Sequence, residues 1–65
     1  MYTIGEYVEY YFAGYSYFGK IVHKTPGRYS IQNSKNTNLT HFVYPLDVIR
    51  KLADYEVLMP LVCHL

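Results

Sequence analysis

Short runs rich in aromatic and β-branched residues, separated by turn formers, predict β-strands along most of this chain. In residues 6–12 (EYVEYYF) alternation places Val8, Tyr10 and Phe12 on one face. Glu6, Glu9 and Tyr11 do not share one parity, so a bulge is expected there. Residues 17–24 form the second strand, folded back on the first at Ala13-Gly14-Tyr15-Ser16. Gly19 inside it marks a sharp bend or a close backbone approach, as a small barrel requires at its corners. After the Thr25-Pro26-Gly27 turn, residues 28–32 alternate cleanly, with Tyr29 and Ile31 inward. A polar loop over residues 33–38 leads to a fourth strand at 41–44, which Pro45 ends because proline cannot donate to a ladder.

Residues 46–49 have the length of a single helical turn, and 49–52 fit a short closing strand. Val8, Ile21, Ile31, Val43 and Ile49 are the expected core, one from each element. Residues 53–65 then carry Val57, Leu58, Met59, Leu61, Val62 and Leu65, and Pro60 breaks them as a continuous helix. Such an apolar tail either completes its own core or forms an interface, and the sequence leaves both open. The whole reads as one all-β domain over residues 1–65: a barrel at about 5–52 and a C-terminal extension at 53–65.

Size sharpens this picture. A domain of 65 residues buries only roughly 60% of its unfolded surface, so its stability is marginal. Cys63 is the only cysteine, which rules out an internal disulfide and fits a reducing compartment. Oligomerisation, as a homodimer or tetramer, is the remaining common supplement. The nine tyrosines and three phenylalanines outnumber what so thin a core can hold, so some rings are expected at the surface. A net charge of +1 gives little long-range pull on phosphates. No apolar run approaches a membrane span and no signal peptide opens the chain, so a complete, soluble cytoplasmic protein is expected.

Three stretches resemble known small barrels. Gly5-x-x-Val8, the aromatic Tyr17 and Gly19-Lys20-Ile21-Val22 are similar to the opening of Tudor and related SH3-like modules. With Tyr44-Pro45 and the apolar turn at 46–49, they also resemble the plasmid-encoded type II dihydrofolate reductases. The resemblance implies a small SH3-like barrel of about five strands with one helical turn before the last. It does not carry reductase chemistry. Tyr44 matches the family's tyrosine, but its pore glutamine falls at Phe42 and its pore lysine at Tyr10 or Tyr11. The groups that orient folate and nicotinamide are therefore missing, and neither an enzyme nor a cofactor is expected. The Tudor resemblance implies an aromatic cage for a methylated ammonium, for which Tyr10, Tyr15, Tyr17 and Tyr29 are candidates.

Other chemistry is thinner. His23, His41, His64 and Cys63 lack metal-ligand spacing, so no metal site is expected. His41 with Tyr44 brings no nucleophile or oxyanion arrangement. The expected role is a non-enzymatic protein-binding module, a small bacterial or phage regulator or inhibitor of a larger protein. Tyr10, Tyr15, Tyr17, Tyr29, Leu58 and Leu61 are its candidate contacts. The alternative is a nucleic-acid-binding module using Lys20, Lys24, Arg28 and Lys35 among neighbouring tyrosines.

Overall fold

The computed structural model describes residues 2–57. Five strands, β1 (Tyr7–Phe12), β2 (Tyr15–Thr25), β3 (Arg28–Asn33), β4 (Thr40–Val43) and β5 (Val48–Lys51), form one antiparallel sheet in the order β4-β3-β2-β1-β5. A 3₁₀ turn, Pro45–Asp47, precedes β5, and a four-residue helix α1, Asp54–Val57, follows it. The fold is all-β, with the single helical turn before the last strand that the sequence predicts. The sheet curls so far that Tyr10 of β1 reaches His41 of β4, three strands away in the ladder. It is barrel-like without being closed: among the described residues no ladder joins β4 to β5.

The β1–β2 hairpin turns at Ala13 and Gly14, both at positive φ (53° and 87°). That combination matches the right-handed twist of the flanking strands, and glycine adopts it without steric cost whereas alanine does not. Gly19 is required by close approach. A Cβ there would lie 2.5 Å from the Gln32 carbonyl oxygen and 2.6 Å from Ile31 Cγ2, so β2 and the Ile31 side chain meet only because the position is bare.

Two bulges set the phase of the sheet. Val22 is an extra residue in β2 between the Ile21–Ile31 and His23–Ser30 pairs. The expected irregularity beside Glu9 is present, but the extra residue belongs to the partner strand: Glu9 pairs with Arg50 and Tyr10 with Val48, leaving Ile49 unpaired. This corrects the expected core. Val48 is buried and Ile49 is 39% exposed, because pairing with inward-facing Tyr10 turns Val48 in and the bulge displaces its neighbour.

Val8, Ile21, Ile31 and Val43 are buried as expected. With Tyr10, Tyr29 and Val48 they form the core, against which Tyr2 and Tyr17 pack. Leu52 is also buried, its amide donating to the Tyr7 carbonyl at 2.9 Å. Beyond it, Glu56 accepts from the Ala53 amide (2.9 Å) and from both terminal nitrogens of Arg50 (2.9 and 2.8 Å), while Arg50 Nε donates to Glu9 (3.0 Å). The helix is thereby tied to β5 and β1. The apolar residues Leu58, Met59, Leu61, Val62 and Leu65 lie outside the described residues.

Candidate functional site

At one end of the sheet the inward faces of β1, β3 and β4 bring polar groups into the core. Asn33 Oδ1 accepts the backbone amides of Lys35 (2.9 Å) and Asn36 (3.0 Å), which fixes its amide orientation. Its Nδ2 then donates to the Tyr10 hydroxyl at 3.5 Å, and that hydroxyl is hydrogen-bonded to His41 Nδ1, 2.9 Å away. Phe12 stacks on the His41 ring (centroids 4.1 Å apart, 11° between planes), and Tyr17 flanks it at 5.1 Å. Burial chiefly raises the Tyr10 pKa above its ordinary value and lowers that of His41. Both groups are thereby held neutral. Among the described residues, the hydrogen bonds from Asn33 through Tyr10 to His41 tie β3, β1 and β4 together.

The four candidate tyrosines do not converge. Tyr10 and Tyr29 are buried core residues, which corrects their expected place among exposed contacts. Tyr29 packs edge-on against Tyr2 at 6.3 Å, apart from the Tyr10–Tyr17 pair at 5.8 Å. Tyr15, 69% exposed, and half-buried Tyr17 line a recess of about 340 Å³ with Phe18, Asn33 and Lys35. Leu58 and Leu61 lie outside the described residues.

The four candidate cations are dispersed as well. The Val22 bulge turns Lys24 toward Tyr29, where its ammonium sits 5.7 Å from the ring and donates to the Tyr2 carbonyl at 2.7 Å. Arg28 lies over the Tyr44 ring at 4.4 Å and donates to its hydroxyl at 3.0 Å. Lys20 is 6.0 Å from the Tyr7 ring centre, and Lys35 borders the Tyr15–Tyr17 recess instead. Two of the four are therefore already engaged, and Lys24 and Lys35 line different recesses. Among the described residues no group of His, Cys, Asp and Glu is placed to hold a metal ion, and no helix is long and apolar enough to cross a membrane.

A further recess lies elsewhere. Tyr11 and Phe12 at the end of β1, Phe42 on β4, and Tyr44 line a recess of about 280 Å³ with Asp47. Phe42 is 61% exposed, and Leu46, between Pro45 and Asp47 on the 3₁₀ turn, is 97% exposed. Alternation in residues 41–44 carries the signal: if His41 and Val43 point in, Phe42 and Tyr44 point out. Comparison with protein-family models, with curated proteins and with solved structures found no match to this chain.

Proposed function

We propose that this protein is a non-enzymatic binding module that docks a protein through the apolar face formed by Tyr11, Phe12, Phe42, Tyr44 and Leu46. The observation that carries the reading is the almost complete exposure of Leu46, the chain neighbour of Asp47 in a recess that four aromatic residues line. Leaving such a side chain in water forgoes roughly 1.5–3 kcal/mol of burial. Contiguous apolar patches of this kind mark interaction sites, and aromatic residues are enriched at the cores of interfaces. The scattered cations favour a protein partner over a nucleic acid. A regulatory role toward a larger protein fits a chain that offers contact surface and little chemistry.

A photo-crosslinking amino acid in place of Leu46 tests the reading. Crosslinks to a defined protein are expected from this position and absent from the same probe at His23, which is exposed on β2. Equal capture from both positions, or none from either, would overturn it.

A further inference from the structure

The aromatic face has the size and the charges to meet a second copy of itself. This inference rests on the binding reading above and names the partner. The exposures of Tyr11, Phe12, Phe42, Tyr44 and Leu46 add up to about three fully exposed side chains. At roughly 200 Å² for each such residue, that is about 600 Å² per copy. A stable interface takes roughly 600–1,000 Å² from each partner, so two of these faces reach the lower end of that range.

Charge supplies the second element. Arg28, held over Tyr44, and Asp47, at the rim of the recess, flank the face with opposite signs. Neither forms an ion pair among the described residues. A two-fold axis that brings Arg28 of one copy to Asp47 of the other does so twice. We infer that the chain forms a two-fold homodimer in which the aromatic faces cover one another and Arg28 and Asp47 pair reciprocally between copies.

Sedimentation equilibrium over a range of concentrations tests the pairing through two charge reversals. Asp47→Arg alone sets arginine against Arg28, and Arg28→Asp alone sets aspartate against Asp47, so each variant should dimerise more weakly, by roughly tenfold or more. An equimolar mixture of the two restores both pairs and should return to the dimer, which a folding defect in either variant would prevent. Leu46→Asp should also give a monomer that keeps the native circular dichroism and melts independently of protein concentration, since Leu46 is 97% exposed. A dimer indifferent to all three substitutions, or single variants that mixing does not rescue, would overturn the inference. So would a parent chain that stays monomeric into the millimolar range. In that last case the crosslinker at position 46 separates the two readings: a distinct captured protein keeps the binding module and removes only the self-pairing, whereas no capture removes both.

Discussion

Two side chains in the core set the pH range over which the fold is stable. His41 is held below its ordinary pKa of 6.5 by burial. The unfolded chain therefore takes up a proton before the folded one does, and stability falls as pH drops below about 6.5. Tyr10 is held above its ordinary value of 10.0, so its contribution is complete below that pH and is lost as pH rises beyond it. Urea unfolding across pH should give a plateau between these limits, and His41→Phe should extend it on the acid side. In an alkaline absorbance titration, Tyr10 should ionise above its ordinary value of 10.0. Ile31→Ala should cost about 2–5 kcal/mol, a loss that unfolding curves would read directly. The burial of Ile31 was legible because residues 28–32 alternate without interruption. Tyr10 and Tyr11 were harder to separate, since identical neighbours give no compositional clue and their depth depends on how far the sheet curls.

At the level of elements, the hairpin and the bulges carry the strain and the phase. Ala13 adopts a left-handed conformation (φ 53°) that a residue with a Cβ reaches at a cost. Ala13→Asn should therefore stabilise the protein by roughly 0.5–1 kcal/mol, visible as a higher urea midpoint with an unchanged slope. Gly19→Ala should act in the opposite sense, by about 1–3 kcal/mol, because the added methyl meets the Gln32 carbonyl and Ile31. Strand existence, the Pro45 stop and the close approach at Gly19 could all be read from residue type. The exchange of Val48 for Ile49 could not. Both are β-branched and apolar, and only the pairing partner decides which one is the extra residue in β5. The exposed face was missed for a related reason: Phe42 and Leu46 have the composition of core residues, and their exposure follows from where β4 ends and the turn begins.

Across the whole molecule, the buried cluster runs from Val8 to Val48 with Leu52 beside it. A chain ending at Val57 should keep the native circular dichroism and cooperative melting, because it retains that cluster and the Arg50–Glu56 clamp. Glu56 is held down to about 2 by the Arg50 guanidinium, so this clamp persists in acid after ordinary carboxylates are protonated. The return of β5 to pair with β1 has a mechanical consequence. Val8 and Lys51 are cross-strand partners, so the sheet-forming segment enters and leaves the fold at adjacent points. A load applied across those points acts along the hydrogen bonds of an antiparallel ladder and meets them in succession instead of all together. Pulled from its two ends, this small sheet should peel open like a zip at low force, with β5 leaving first.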